Sequence, residues 1–374
     1  KMMKVLPDLN IVHVVIDEAH CVSEWGESFR PAYLRISEII EALRRPAKTA
    51  LENRAAAGDL PLVTAFTATA GAPVLEKIER YIFGLGACSS FPVNRIVGNP
   101  DRSNIEYAAQ GALVRDLAVR DLLFKNRLPA IVFCSSREGT EKLARYLRYW
   151  FGEKVRFYHA GLSREERSDT EKWFFENAEI ILTATCAFGM GIDRGDIRTV
   201  IHRDCPPSVE AYLQESGRAG RDALASKAIL LWGMEDELAL VRAGPEENRR
   251  RVEKLLAYAR NVLTCRRQAL LDLMDYRPPG PHQESPEEGC CDVCSGKASL
   301  YYREERSLID FFRRNKRCYT PDEAVRVLAG AKEAAWSEEE AKLAVTSLIK
   351  TGTLRVKKHF PRKGTVELYP RANG

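Results

Sequence analysis

The strongest constraint on this chain is a repeated pattern. A short apolar run is followed by a polar or glycine-rich break, and then by a stretch with helical spacing. Such runs occupy residues 11–16, 62–67, 131–134, 155–158, 180–183, 199–201 and 228–231. Runs this short, each followed by a helix-like stretch, imply an α/β fold with a mostly parallel sheet covered by helices. Ligands of such sheets bind beyond the carboxyl ends of the strands, so the polar residues after each run are the first functional candidates. Residues 1–98 read as the later part of one lobe, with a helix at 34–43 between its two strands. Residues 99–235 read as a complete second lobe. Residues 236–277 are helical and charged, and Pro278–Pro279–Gly280–Pro281 marks a loop. Helices at 302–315, 321–329 and 337–350 precede strands at 353–356 and 365–368, a winged-helix pattern. The expected divisions are 1–98, 99–235, 236–297 and 298–374.

At 374 residues the chain has room for two to three domains of about 150 residues. It is 45% hydrophobic and 29% charged, which excludes disordered, collagen-like and coiled-coil classes. No apolar run approaches the ~18 residues of a membrane span, so no membrane partner is expected. No secretory leader is visible, and the first residue is Lys, so the chain is expected to be a fragment. Of ten cysteines, Cys21, Cys88, Cys134, Cys186 and Cys205 are scattered, whereas Cys290, Cys291 and Cys294 cluster. That distribution favours reduced thiols and a metal site over a disulfide framework, and hence the cytoplasm, or the nucleus in a eukaryote. The net charge of +5 is uneven: residues 295–374 carry 17 basic and 10 acidic side chains, and the preceding 294 are slightly acidic. A basic C-terminal module suggests an anionic polymer as partner, although a solvated Lys/Arg face explains the charge alone equally well.

Asp17–Glu18–Ala19–His20 directly follows the first run. A carboxylate there is placed to hold Mg²⁺, and the adjacent Glu to orient and deprotonate a water attacking a γ-phosphate. Alone, four such residues read equally well as a polar loop. The chain continues into an aromatic-bearing stretch in which Trp25, Phe29 and Arg30 suit stacking on unpaired bases or gripping a phosphate, or simply packing of the loop. Thr67 and Thr69 end the second run, as relay hydroxyls or as helix caps. Ala187–Phe188–Gly189–Met190–Gly191–Ile192–Asp193 has glycines that allow close backbone approach to a phosphate. In Gln214–Glu215–Ser216–Gly217–Arg218–Ala219–Gly220–Arg221–Asp222, two arginines three apart are suited to the charge that develops in phosphoryl transfer. An exposed basic helix would not need the interleaved glycines.

These motifs, together with Tyr158–His159–Ala160–Gly161–Leu162, resemble the superfamily 2 helicases of the RecQ type over most of the chain. The resemblance implies a partial first RecA-like lobe, a complete second one, a helical zinc-binding subdomain and a C-terminal winged helix. It implies that Asp17 holds Mg²⁺, Glu18 activates water and His20 couples to the second lobe. Arg218 and Arg221 would reach ATP, with Arg221 as the finger. Thr67, Thr69, Gly191, Asp193 and Gln214 would couple the ATP site to DNA, and Trp25, Phe29 and Arg30 would sense a single strand. Glu27 and Ser28 stand where the family commonly has His and Asp, which bears on that coupling.

Cys291–Asp292–Val293–Cys294 is a C-x-x-C turn suited to structural Zn²⁺. Family members add a Cys-Arg-Arg helix start, matched by Cys265–Arg266–Arg267. Their remaining ligand stands three residues before Cys291, where this chain has Glu288, so Cys290 is the substitute and His282 the fallback. Four reduced structural cysteines are the plainer reading. In the tail, Lys357, Lys358, His359, Phe360 and Arg362 form a basic, aromatic hairpin tip suited to duplex backbone or a terminal base pair, or an ordinary solvated turn.

The resemblance implies an ATP-dependent 3′–5′ DNA helicase of repair and recombination, acting on single-stranded DNA and duplex junctions, with ATP, Mg²⁺ and structural Zn²⁺ as cofactors. The sequence contains no Gly-x-x-x-x-Gly-Lys-Ser/Thr segment, so this chain alone is expected to be inactive in ATP hydrolysis. Two alternatives stand beside this reading: an RNA helicase of the same superfamily, and a non-catalytic zinc/winged-helix DNA-binding module on a degenerate ATPase body.

Overall fold

A computed structural model describes residues 11–24, 36–44, 61–67, 71–83, 93–188, 193–233, 236, 240, 246–276, 290–330, 336–358 and 362–368. The chain divides into two compact units, one of residues 1–101 with 271–281, the other of 102–270 with 282–374.

In the first unit, β1 (His13–Ile16) pairs in parallel with β2 (Leu62–Ala65), His13 opposite Leu62 and Ile16 opposite Ala65. Among the described residues, helices α1 (Cys21–Glu24), α2 (Ile36–Arg44) and α3 (Ala72–Tyr81) belong to the same unit. Ile16 packs with Val22, Ile40, Val74 and Ile78 on one face of the strands. The other face leaves Val15, Leu62 and Phe66 exposed.

The second unit is built on six parallel strands in the order β3-β8-β7-β4-β6-β5. They are β3 (Ile105–Gly111), β4 (Ala130–Phe133), β5 (Val155–Tyr158), β6 (Ile181–Ala184), β7 (Thr199–His202) and β8 (Ser226–Trp232). Every residue of β4, β6 and β7 is buried, as expected of strands covered on both faces. The sequence pattern finds all of these strands except β3. That strand sits at the sheet edge, and its alternating burial interleaves Glu106, Ala108 and Gln110 with buried residues.

Between the strands run α4 (Arg115–Lys125), α5 (Arg137–Phe151), α6 (Arg164–Glu176) and α7 (Val209–Ser216). Ser136 Oγ accepts from Gly139 N–H to start α5, and Ser163 and Glu166 form a reciprocal capping box on α6. Helix α5 buries Thr140, Leu143, Ala144 and Leu147, the i, i+3, i+4, i+7 stripe of a helix lying on a sheet. Leu143, Ala144 and Leu147 form one core with Ala118, Val119 and Leu123 of α4 and with Val132, Ile181, Ile201 and Ile229 of the strands. Right-handed crossovers put α4 and α5 on one face of this strand order, and α6 and α7 on the other.

Beyond the sheet lie α8 (Glu246–Arg260), α9 (Arg266–Leu273), α10 (Glu305–Arg314), α11 (Pro321–Gly330) and α12 (Glu338–Lys350). An antiparallel hairpin of β9 (Leu354–Val356) and β10 (Val366–Leu368) follows them. Tyr146 Oη of α5 donates to Glu340 Oε1 of α12 at 3.0 Å. Among the described residues, no helix is long and apolar enough to cross a membrane.

Candidate nucleotide and nucleic-acid site

Asp17 and Glu18 stand at the carboxyl end of β1. Glu18 has φ +49°, a left-handed conformation costing a non-glycine residue about 1–2 kcal/mol. Local bonds hold it there. Its backbone N–H donates to Asp17 Oδ1 at 2.8 Å, Ala19 N–H to Phe66 O at 2.9 Å, and Phe66 N–H to Ile16 O at 2.8 Å. Buried His20 completes the turn, its Nδ1 lying 3.3 Å from Glu18 Oε2 and 3.2 Å from Thr67 Oγ1. The acidic motif and the motif ending β2 are therefore joined through one imidazole. Thr69, Trp25, Phe29 and Arg30 lie outside the described residues.

In the second unit, Gln214 is half-buried in the last turn of α7, and Arg218 and Arg221 follow it. This pair does not stand at strand carboxyl ends, where the sequence pattern looks first for functional residues. Helix α7 runs back along β7, so the turn after it emerges at the strands' amino ends. Gly220 N–H donates to Ile197 O at 2.8 Å and Asp222 N–H to Gly195 O at 3.2 Å, both on the approach to β7. Arg102 donates to the carbonyls of Gly217, Ala219 and Gly220, and Asn104 Nδ2 to that of Gly220 at 2.8 Å. Arg198 and Asp222 form a two-pronged ion pair. Gly220 has φ +54°, and a Cβ there would lie 2.5 Å from Asn104 Nδ2 and from Ser226 Oγ. On this fixed turn Arg218 is buried, whereas Arg221 is about one-third exposed and donates to Asp193 Oδ1 at 2.8 Å. Gly191 lies outside the described residues.

Several residues around these motifs were given no role of their own by the sequence. His202, at the end of β7, bonds Glu215 inside the arginine motif at 2.9 Å, and its ring stacks on Phe133. At the carboxyl ends of β3, β4, β7 and β8, Arg115 grips Asp204 (2.8 Å) and Asp236 (2.6 Å). Arg203 grips Asp116 (2.6 Å) and Asp204 (2.7 Å). Burial alone would raise the Asp204 carboxyl, but Arg203 and Arg115 hold it below its ordinary value. Beyond β5, His159 Nδ1 accepts from Gly161 N–H at 3.2 Å, which leaves Nε2–H to donate to Glu141 at 3.0 Å. The signal for most of these was their place after an apolar run, the same signal that marks Asp17.

The four cysteines expected as ligands, Cys265, Cys290, Cys291 and Cys294, come together with all sulfurs within 4.8 Å of one another. Sγ–Sγ separations of 3.5 Å (Cys265–Cys290) and 3.9 Å (Cys265–Cys291) match the edge of a tetrahedron with Zn–S bonds of about 2.3 Å. Backbone N–H groups of Arg266 and Cys294 each approach Cys291 Sγ at 3.4 Å, adding positive dipoles for thiolate charge. The adjacent pair Cys290–Cys291 thus fits, and His282 lies outside the described residues. Asp292 fixes the turn: it pairs with buried Arg266 at 2.8 Å and accepts from Ala109 N–H of β3 at 2.9 Å. Arg266 also donates to the carbonyls of Tyr258 and Ala259 that close α8.

In the tail, Lys357 N–H donates to Thr365 O at 2.9 Å and Gly364 N–H to Lys357 O at 2.8 Å, closing the hairpin. Lys358 and Arg362 are exposed at its tip, and His359 and Phe360 lie outside the described residues.

Residues 114–223, from the entry to α4 through the arginine turn, match the helicase conserved C-terminal domain. The ATP-dependent DNA helicase RecQ of Pasteurella multocida is 32% identical over 296 residues, covering 77% of this chain and 42% of that protein. The protein of the same name in Haemophilus influenzae is 30% identical over 330 residues, covering 86% of this chain and 49% of that protein. The chain belongs to the RecQ helicase family. The RecQ-like DNA helicase blm-1 of Caenorhabditis elegans is also similar, 32% identical over 302 residues, 76% of this chain and 28% of that protein. The chain therefore spans less than half the length of these RecQ relatives.

Proposed function

We propose that this chain carries part of the machinery of an ATP-dependent 3′–5′ DNA helicase acting in repair and recombination. The observation that carries the reading is His20, held against both Glu18 and Thr67. An imidazole shared between a water-activating carboxylate and the hydroxyl ending the next strand is a route by which a bound DNA strand controls hydrolysis. In this reading Asp17 holds Mg²⁺, Glu18 orients and deprotonates the attacking water, and Arg221 stabilises charge on the transferred phosphoryl group. Asp193 keeps the Arg221 guanidinium extended until phosphate oxygens compete for it. Arg218, Gln214, Thr67, Thr69 and Gly191 serve the coupling, and Trp25, Phe29 and Arg30 contact the single strand.

The cysteine cluster suits structural Zn²⁺, which would neutralise and lock the four thiolates. The three helices and hairpin of residues 298–374 are read as a winged helix, with Lys357, Lys358, His359, Phe360 and Arg362 on the duplex. The test is DNA-stimulated ATP hydrolysis and unwinding, by the chain alone and by the chain joined to the P-loop segment of a RecQ relative. Turnover that Glu18→Gln abolishes supports the motor. Silence of both proteins, with DNA binding through the tail retained, would leave a non-catalytic DNA-binding module.

A further inference from the structure

The face of the large sheet covered by α4 and α5 carries features that the proposed motor does not use. At the ends of these two helices, Phe124, Tyr149 and Trp150 are 58%, 80% and 43% exposed. They form one cluster: Phe124 and Trp150 meet edge to face at 6.5 Å between centroids, and Tyr149 and Trp150 at 5.0 Å. Three large exposed rings in contact are unusual on a solvated helix end, where single exposed apolar residues are the norm. The Arg120 guanidinium lies 4.6 Å over the Trp150 ring.

The cluster adjoins an open cleft of about 910 Å³ between α4, the β3–β8 edge of the sheet, and α10. Asp121 of α4 ties the two together, bonding Arg120 at 2.8 Å on the aromatic side and Arg303 on the cleft side. The cleft floor is apolar, with Ala108, Leu122, Ile229 and Ile309, and six basic and four acidic residues line it. Glu106, Asp292 and Asp310 are neutralised by Lys227, Arg266 and Arg313. Lys125, Lys297 and Arg306 are exposed and have no ion-pair partner among the described residues. Lys125 is the residue after Phe124, so the free cations begin where the rings end.

We propose that this ledge and cleft form a second binding surface for single-stranded nucleic acid. Bases would stack on Tyr149, Trp150 and Phe124, and the backbone would run past Lys125 toward Arg306 and Lys297. The chemistry is that of sequence-tolerant strand binding, in which aromatic platforms take bases of any kind and unpaired cations take phosphates. The surface lies across the sheet from α7 and its arginine turn, so a strand can occupy it without touching Arg221. Such a surface would retain a displaced strand beside the motor. The displaced-strand role rests on the proposed helicase activity; the binding itself does not.

Binding of 15-residue oligothymidylate and oligouridylate to the full chain, without nucleotide, separates these statements and distinguishes a DNA from an RNA strand. Tryptophan fluorescence should be quenched on binding, and Trp150→Phe should reduce the quench, leaving the part owed to Trp25, at little cost in affinity. Tyr149→Ala should weaken binding about tenfold. Lys125→Glu with Arg306→Glu should weaken it at least tenfold and lower the slope of log affinity against log salt by about 1.4. Unchanged affinity in Tyr149→Ala and in Lys125→Glu with Arg306→Glu would overturn the proposal, whether the strand is then held at Trp25 and Arg30 or at Lys357 and Lys358. So would the absence of binding by either oligonucleotide. Because no ATP is present, failure of the motor reading would leave these outcomes intact.

Discussion

His202 Nε2 lies 2.9 Å from Glu215 Oε2, with the imidazole wholly out of solvent. The bond fastens the end of β7 to the helix that carries the arginine motif. Glu215→Ala leaves a buried ring nitrogen without its acceptor and should cost about 2–3 kcal/mol. Glu215→Gln keeps an acceptor in place and should cost under about 1 kcal/mol. Urea titration followed by circular dichroism gives both numbers. Equal losses would show that Glu215 acts through charge rather than through this bond.

Gly220 and Gly352 both have positive φ, +54° and +75°, in different surroundings. A Cβ at Gly220 meets Asn104, Ser226 and the Leu224 carbonyl at 2.5–2.6 Å, whereas nothing lies within 4 Å of one at Gly352. Gly352→Ala should therefore cost only the backbone term of about 1 kcal/mol. Gly220→Ala should cost clearly more and displace Arg221 from Asp193. Melting temperatures of the two variants under one buffer provide the comparison.

Acid should weaken the second unit through Asp204. Its carboxyl is held below the ordinary value of 3.8 by Arg203 and Arg115 despite burial. A depressed folded value means that the stabilisation is complete above 3.8 and is lost as pH falls through the lower folded value. The wild-type chain should lose stability below about pH 4, and Asp204→Asn, less stable at neutral pH, should lose less over that interval. Denaturant midpoints from pH 7 to pH 2.5 measure the difference.

Zinc content discriminates the ligand set. About one zinc per chain is expected by elemental analysis. Cys290→Ser should lower zinc affinity at least tenfold, and His282→Ala should leave it unchanged. The reverse pattern would reassign the third ligand to His282.

The strands of the large sheet were legible because burial on both faces leaves an unbroken apolar run, as in Ile131–Val132–Phe133. Strand β3 was not, because its outer face carries Glu106 and Gln110 over the open cleft. The cysteine site was legible from the C-x-x-C turn, since a two-residue gap sets ligand geometry locally. The link between His20 and Thr67 depends on the register of β1 against β2, which local pattern does not give. The arginine motif was legible as a pattern but not as a location. Its place at the strands' amino ends follows from α7 turning back along β7, a property of topology rather than of composition.

One consequence follows from how the cysteine turn meets the sheet. Cys291 forms a parallel bridge with Tyr107, Tyr302 forms another with Gly111, and Asp292 takes the N–H of Ala109. Strand β3 would otherwise offer a second chain a row of open backbone groups, the template from which edge-to-edge aggregation grows. The turn that carries the thiol cluster covers part of that row. If the cluster holds the proposed zinc, a chelator should bring concentration-dependent oligomers into light scattering before the sheet itself unfolds.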